Sequence, residues 1–134
     1  MIETRDVVKT HGKTTVLHAV SVQIPDQQLT AIIGPNGAGK STLLSMVSRL
    51  APMTAGTATV GGLDVATTAS DALAKVMAIL RQDNQSALRL TVRDLVGFGR
   101  FPHSKGRMTA EDVRHVDEAL DFLQLNALAD RYLD

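Results

Sequence analysis

Nine consecutive residues in the first half of the chain have the types and the spacing needed to bind phosphate. They are Gly34, Pro35, Asn36, Gly37, Ala38, Gly39, Lys40, Ser41 and Thr42. This run matches the pattern G-x-x-x-x-G-K-[ST], whose glycines let the backbone point successive N–H groups inward around an anion. A helix that follows such a loop adds its unpaired N-terminal donors and the positive end of its dipole. The nine residues therefore predict a site for a nucleoside triphosphate.

Three side chains at the end of this loop have predicted roles. The Lys40 ammonium is expected to reach the β- and γ-phosphates, and the Ser41 hydroxyl oxygen is expected to bind Mg²⁺. Thr42 is expected to contact the α- or β-phosphate through its backbone or its hydroxyl group. The alternative is a glycine-rich turn that caps an ordinary helix, with Lys40 and Ser41 in this order by chance.

The elements on either side of the loop are predicted from short apolar patterns. Residues 29–33 are apolar and partly β-branched, which predicts a buried strand leading into the loop. Residues 76–80 predict a second buried strand in the same way. After the loop, one helical face is predicted to contain Leu43, Leu44, Val47 and Leu50. A strand–loop–helix order is the context in which the phosphate pattern is specific.

The rest of the front part is predicted to be rich in strands. Residues 2–24 read as strands on either side of a turn at 11–13, and residues 57–60 read as another short strand. Residues 69–75 are predicted to contain a short helix.

The back part is predicted to be helical. Thr91 and Thr109 each precede an acidic residue three positions later, a pattern that starts helices. The second helix has a predicted apolar face that consists of Val113, Val116, Leu120 and Leu123. Between the two helices, residues 100–107 are predicted to form a basic loop.

The composition limits the class of protein. Of the 134 residues, 44% are hydrophobic and 21% are charged, as in an ordinary globular domain. Fourteen basic and fourteen acidic residues give no net charge, which argues against nucleic acid as the main partner. The chain has no cysteine, so disulfides and thiolate metal sites are excluded. No apolar run approaches the ~18 residues of a membrane span, so any membrane contact is predicted to be peripheral.

Two sequence strings resemble the nucleotide-binding subunit of ABC transporters. The phosphate loop, GPNGAGKST, has the form of that family's Walker A motif, and TVRDLVGFGRFPHSKGR at residues 91–107 is similar to importers of iron–siderophore complexes. The resemblance implies an α/β P-loop NTPase fold: an ABC-type ATPase core with antiparallel N-terminal strands and the start of an α-helical subdomain. It implies a β-rich nucleotide-binding part at residues 1–83 and a helical part at 84–134, with ATP and Mg²⁺ as ligands.

The resemblance also assigns roles to residues outside the loop. Gln82 stands where the family has a glutamine that contacts Mg²⁺ and the attacking water, which makes it a catalytic candidate beside Lys40. His11 stands where the family has an aromatic residue that stacks on adenine; the alternative is a solvated histidine in a turn. For Gln82 the alternative is a polar residue that closes a strand. A substitute role for Asp83, as the acid after a Walker B strand at 76–80, explains this segment less well.

The partners implied by the resemblance are a second ATP-binding subunit and the permease subunits of an importer, with a substrate-binding protein contacted indirectly. Residues 84–130 would receive a helix of the permease at the cytoplasmic face of the membrane, with Phe98 and Phe101 as candidate anchors; for Phe98 the alternative is a core residue. Four further residues would face the permease or anionic headgroups, or form a solvated basic loop: Arg100, His103, Lys105 and Arg107.

The family's signature segment, Walker B strand and switch histidine are not found in the sequence, which ends where the signature segment is expected. The 134 residues alone are therefore expected to bind ATP without hydrolysing it, whereas a full-length subunit would be an ATPase. The alternatives are a nucleotide-binding module without turnover and a small P-loop kinase.

Overall fold

The computed structural model describes residues 1–81 and 89–133. The chain divides into two compact units, unit 1 (Met1–Ile79) and unit 2 (Leu80–Asp134). The division predicted from the sequence falls after residue 83. Both Gln82 and Asp83, for which roles were predicted, lie outside the described residues.

Unit 1 is built on a four-stranded antiparallel sheet with the order β2-β1-β3-β4. The strands are β1 (Ile2–His11), β2 (Thr14–Ile24), β3 (Ala55–Val60) and β4 (Leu63–Asp64). β1 and β2 form a hairpin, in which His11 pairs with Thr14 beside the turn and Ile2 pairs with Ile24 at the far end. The predicted strands around the turn, and the one at 57–60, are confirmed.

Helix α1 (Lys40–Val47) packs against β1, β2 and β3 and closes the core of unit 1. Its buried residues are Leu43, Met46 and Val47, which are spaced three and four positions apart and so share one face. The prediction that Leu44 and Leu50 belong to this face is wrong, since their side chains are 51% and 53% exposed. The helix ends before Leu50. The core also contains Val7, Leu17, Ala58, Val60, Val65 and Leu73.

The short helix predicted within residues 69–75 is confirmed as α2 (Ser70–Ala74). The strands predicted at residues 29–33 and 76–80 are wrong. No strand is assigned to either segment, and Leu29, Ile33 and Leu80 are 100%, 89% and 90% exposed. An apolar run becomes a buried strand only where neighbouring strands pair with its backbone. Within residues 1–81 and 89–133, the sheet consists of β1 to β4, and none of these strands pairs with either segment.

The described residues of unit 2 form helices α3 (Val92–Phe98), α4 (Phe101–Ser104) and α5 (Ala110–Phe122), followed by a 3₁₀ turn. Both predicted helix starts are confirmed as reciprocal capping boxes. At α3, the Asp94 N–H donates to Thr91 Oγ1 at 3.1 Å, and the Thr91 N–H donates to Asp94 Oδ2 at 2.9 Å. Thr109 and Asp112 make the same pair of bonds at α5. The predicted basic loop is partly wrong, because Pro102 lies in the first turn of α4.

The core of unit 2 is small. Val116, Leu120 and Ala129 are buried, and three half-buried residues pack against them: Val92, Val96 and Leu125. Of the predicted face of α5, Val116 and Leu120 are therefore confirmed, whereas Val113 and Leu123 are 45% and 57% exposed. The residue before Thr91 is joined to the C-terminal part of the unit by hydrogen bonding, since the Leu133 N–H donates to the Leu90 carbonyl at 2.9 Å.

Candidate functional site

The glycines of the phosphate-type loop have backbone conformations that other residues rarely adopt. Gly37 and Gly39 have φ angles of +84° and +86°. Gly39 is also the N-cap of α1, and a Cβ at this position would lie 2.5 Å from Leu17 Cδ2 of β2. Gly39 therefore meets two requirements: the left-handed conformation and a close approach to the sheet. This contact seats the end of the loop against β2.

Lys40 folds back over the beginning of the loop. Its Nζ donates to the Gly34 carbonyl at 2.7 Å and to the Pro35 carbonyl at 2.8 Å. Two of the three N–H donors of the ammonium are thus engaged by the first two residues of the loop. The sequence pattern predicted a role for Lys40 toward phosphate but gave no indication of these two bonds.

The N-terminus of α1 is suited to an anion. Among the described residues, no side chain caps it and no acidic residue lies in its first turn, so the positive end of the helix dipole is not neutralised locally. The N–H groups of Lys40, Ser41 and Thr42 are the donors that a helix start leaves without intrahelical partners. The Ser41 side chain is exposed, and that of Thr42 is half-buried. Together with Lys40, this donor set fits the phosphates of a nucleotide with bound Mg²⁺.

His11 lies at the hairpin end that is nearer to the loop. It is the last residue of β1 and is exposed. On the same strand Lys9 pairs with Leu17, the residue that contacts Gly39. His11 is two residues beyond Lys9, which is about 7 Å along a strand. The exposed His11 imidazole therefore lies at the end of the sheet that is close to the start of α1. This position agrees with both interpretations of His11.

Of the two predicted Mg²⁺ ligands, only Ser41 is within the described residues. Over residues 1–81 and 89–133, no group of three or more His, Asp or Glu side chains is placed to hold a metal ion. In the same part of the chain, no helix is both long and apolar enough to span a membrane.

Unit 2 contains a separate feature, an apolar groove of about 720 Å³ between α3, α4 and α5. Phe98 and Phe101, the predicted anchors, both line it and are 53% and 59% exposed. Met108 and Val113 line it as well and are 47% and 45% exposed, although neither was predicted to lie at a surface. The other lining residues are Leu90, Arg93, Asp94, Gly97, Ser104, Gly106 and Val116.

One basic residue of the predicted basic loop, Arg100, forms an ion pair inside unit 2. Arg100 Nε donates to Asp112 Oδ1 at 2.8 Å, and the Asp112 side chain is only 4% exposed. Hydrogen bonds from Thr109 and the bond from Arg100 lower the pKa of Asp112 to about 2. This pair ties the start of α4 to the start of α5. The interpretation of Arg100 as a solvated or partner-facing residue is therefore wrong.

The chain matches the family model for the ABC transporter over residues 17–134. It is 48% identical over 134 residues to the petrobactin import ATP-binding protein YclP of Bacillus subtilis, covering 100% of this chain and 53% of that protein. Its identity to the petrobactin import ATP-binding protein FatE of Bacillus anthracis is also 48% over 134 residues, covering 100% of this chain and 54% of the relative. The chain thus spans about half the length of these curated relatives.

Solved structures show the same fold. A nucleotide-free ATP-binding cassette from an ABC transporter superposes with a TM-score of 0.76 at 27% identity, covering 97% of this chain and 56% of that chain. A dimeric bacterial ABC transporter cassette also gives a TM-score of 0.76, at 26% identity, with coverage of 98% and 61%. The fold is therefore that of a P-loop ATP-binding cassette, which argues against a small P-loop kinase. With its phosphate-type loop at residues 34–42, the chain belongs to the ABC transporter family.

Proposed function

We propose that this chain is the ATP-binding part of an importer subunit that couples ATP binding and hydrolysis to uptake of an iron–siderophore complex. The observation that carries the proposal is the loop at 34–42, where the Lys40 ammonium and the uncapped start of α1 converge. The substrate class is supported by the relatives, two of which are named for petrobactin import. A third, from Bacillus subtilis, is named for iron(3+)-hydroxamate import and is 36% identical over 126 residues, covering 92% of this chain and 47% of that protein.

Each member of the loop has a role in this proposal. Residues 34–39 surround the phosphates with backbone N–H groups, Lys40 binds the β- and γ-phosphates, and Ser41 binds Mg²⁺. Thr42 contacts the α- or β-phosphate. When bound, Mg²⁺ would supply positive charge that neutralises the phosphates.

Gln82 and His11 complete the proposed nucleotide site. Gln82 contacts Mg²⁺ and the water that attacks ATP, and so links the nucleotide to the helical part at 84–134. His11 stacks on adenine from the end of β1. The exposure of the imidazole and its position on the hairpin support this contact, and an imidazole offers a smaller stacking face than tyrosine.

The groove of unit 2 is the proposed docking site for the permease. Its walls contain exposed aromatic side chains, Phe98 and Phe101, of the kind that form the centre of protein interfaces. The subunit would lie at the cytoplasmic face of the membrane as a peripheral protein and pair with a second ATP-binding subunit, as the dimeric cassette of similar fold suggests. A substrate-binding protein would act through the permease. Nucleic acid has no role.

For the 134 residues alone, we propose nucleotide binding without turnover. No signature-like segment and no Walker B strand with its acid are recognised in the sequence, and the family completes each site with a partner's signature segment. Steady-state ATP hydrolysis by the purified chain at the rate of a full-length relative would contradict this part of the proposal.

Calorimetric titration with MgATP tests the nucleotide site. The wild-type chain should bind, and Lys40→Ala should lower the affinity at least tenfold, because a charged hydrogen bond contributes about 1.5–3 kcal/mol. Lys75→Ala is the matched control, since it removes an exposed ammonium just after α2 in the same unit. Equal affinities of the Lys40 and Lys75 variants would contradict the assignment of the site.

A further inference from the structure

We propose that Leu17 is a positioning residue for the loop at 34–42: its side chain fixes the direction of the N–H groups at the start of α1 and so raises the affinity for phosphate. This inference rests on the proposed nucleotide site and adds a residue of the sheet that shapes it. It follows from the backbone at Gly39, from the side chain that restrains this backbone, and from the contacts of β1 with the segment after α1.

The backbone at Gly39 sets the direction of the donors that follow it. Its carbonyl accepts the N–H of Leu43 at 2.8 Å and so begins the hydrogen bonding of α1. The N–H groups of Lys40, Ser41 and Thr42 come next along the chain, and a helix start leaves them available to an anion. A rotation about the backbone angles of Gly39 would therefore change the direction of all three N–H groups relative to the rest of the loop.

Leu17 supplies a restraint that glycine itself lacks. Glycine has no Cβ and adopts positive and negative φ angles about equally, so its own stereochemistry does not hold Gly39 at +86°. A Cβ at Gly39 would lie 2.5 Å from Leu17 Cδ2 and 3.5 Å from Leu17 Cγ, so this side chain lies directly against the backbone. Leu17 is 5% exposed and belongs to the core of unit 1, whose packing leaves it little room to move.

The rest of the loop receives less support from the sheet. Residues 34–38 are exposed, whereas Gly39 is half-buried. A Cβ at Gly34 would meet side chains of the loop itself, and a Cβ at Gly37 would have no heavy atom within 4 Å. Of the three glycines in the loop, Gly39 is thus the one that rests on the sheet.

Strand β1 connects Leu17 to the segment that follows α1. Lys9, which pairs with Leu17 across the hairpin, is 8% exposed and donates from Nζ to the Pro52 carbonyl at 2.6 Å. Beside it, the Thr54 N–H donates to the Val8 carbonyl at 2.9 Å. The hairpin therefore holds α1 at its start through Leu17 and beyond its end through Lys9. A shift of the helix along the sheet would break one of these contacts.

Loss of the Leu17 side chain should weaken phosphate binding about three- to tenfold. Without the Cδ methyl groups, Gly39 can adopt other φ angles, and the three N–H groups must then be ordered when the anion binds, which lowers the affinity. This range corresponds to about one well-directed hydrogen bond, whose net contribution changes affinity by roughly two- to twelvefold.

The test is calorimetric titration of the purified 134-residue chain with inorganic tripolyphosphate and Mg²⁺, a ligand without adenine that reports on the loop alone. Leu17→Ala should bind it about three- to tenfold more weakly than wild type. Leu17→Met, which fills a similar volume, should restore most of the affinity. Leu73→Ala is the matched control and should bind like wild type, because Leu73 is 3% exposed in the same core but lies on α2.

NMR distinguishes positioning from a general loss of stability. In ¹⁵N-labelled protein saturated with tripolyphosphate, the amide resonances of Gly39, Lys40 and Ser41 should shift less in Leu17→Ala than in wild type. They should shift fully in Leu73→Ala, which also removes a buried leucine side chain. Circular dichroism verifies that each variant is folded. If Leu17→Ala does not fold, Leu17→Val replaces it with the same expected results, since valine also lacks the Cδ methyl groups.

Equal tripolyphosphate affinities of the Leu17→Ala and Leu73→Ala variants would overturn the inference, whether both are normal or both are reduced. Wild-type amide shifts in folded Leu17→Ala would also overturn it, as would a Leu17→Met variant that binds as weakly as Leu17→Ala. If the wild-type chain binds neither tripolyphosphate nor MgATP, the proposed nucleotide site is rejected as well. Normal wild-type binding that Leu17→Ala leaves unchanged rejects only the positioning role.

Discussion

Substitution of Gly39 by alanine should destabilise unit 1 by about 2–5 kcal/mol. A left-handed backbone costs a residue other than glycine about 1–2 kcal/mol, and Gly39 has a φ angle of +86°. The added Cβ would also lie 2.5 Å from Leu17 Cδ2, and Leu17 is 5% exposed. Its side chain can move only into occupied space, and such overpacking costs about 1–3 kcal/mol. The two contributions together give the predicted range.

Gly62→Ala separates these two contributions. Gly62 has a φ angle of +79°, but a Cβ there would have no heavy atom within 4 Å. Gly62→Ala should therefore lower the free energy of unfolding only by the backbone contribution, about 1–2 kcal/mol. Urea unfolding followed by circular dichroism gives the change in the free energy of unfolding of each variant. It is calculated from the shift in the urea midpoint, provided that the slope of free energy against urea concentration is unchanged. In addition, Leu17→Ala should partly relieve Gly39→Ala, so that the double variant is less destabilised than the sum of the single ones. Equal losses for the two glycine variants, with additive effects of Leu17→Ala, would refute the reasoning.

Two further predictions concern unit 2. Asp112→Asn should lower the urea midpoint at pH 6, and the difference from wild type should shrink below about pH 4. The reason is that the folded pKa of Asp112, about 2, lies below its unfolded value, so its stabilising contribution is lost as the pH falls; a difference that grows in acid would contradict this. Leu120→Ala should lower the free energy of unfolding by about 2–5 kcal/mol because Leu120 is 0% exposed. Leu123→Ala, at a 57% exposed position, should lower it far less. Equal losses, measured by the same unfolding assay, would contradict the burial argument.

The elements that could be predicted from the sequence are those whose determinants are local. The hairpin at 11–13 and the helix starts at Thr91 and Thr109 depend on residues at most three positions apart. The strands expected at 29–33 and 76–80 depend instead on partners elsewhere in the chain. Their apolar residues indicate a tendency to be buried, but they do not identify the strand whose backbone would pair with them.

The same distinction holds for the candidate site. The loop at 34–42 was predictable because nine adjacent residues contain its turns and its charge. The groove of unit 2 was only partly predictable: Phe98 and Phe101 were singled out, but Met108 and Val113 reach the groove through the packing of α3, α4 and α5. The pairing of Arg100 with Asp112 also could not be read from the sequence, since the two residues lie twelve positions apart, one at the N-cap of α4 and the other in α5.

The hydrogen bonds of Lys40 affect how strongly this residue can contribute to nucleotide affinity. In the structure its ammonium already donates to the carbonyls of Gly34 and Pro35, so binding to phosphate in the proposed site would exchange these bonds rather than add to them. A hydrogen bond to a charged group contributes about 1.5–3 kcal/mol net of the bonds to water that it replaces. Because exposed carbonyl bonds must be released, the loss for Lys40→Ala should lie nearer to tenfold than to a hundredfold or more. The same two bonds connect Lys40 to the first two residues of the loop, so Lys40 also has a part in shaping the site that its charge would serve.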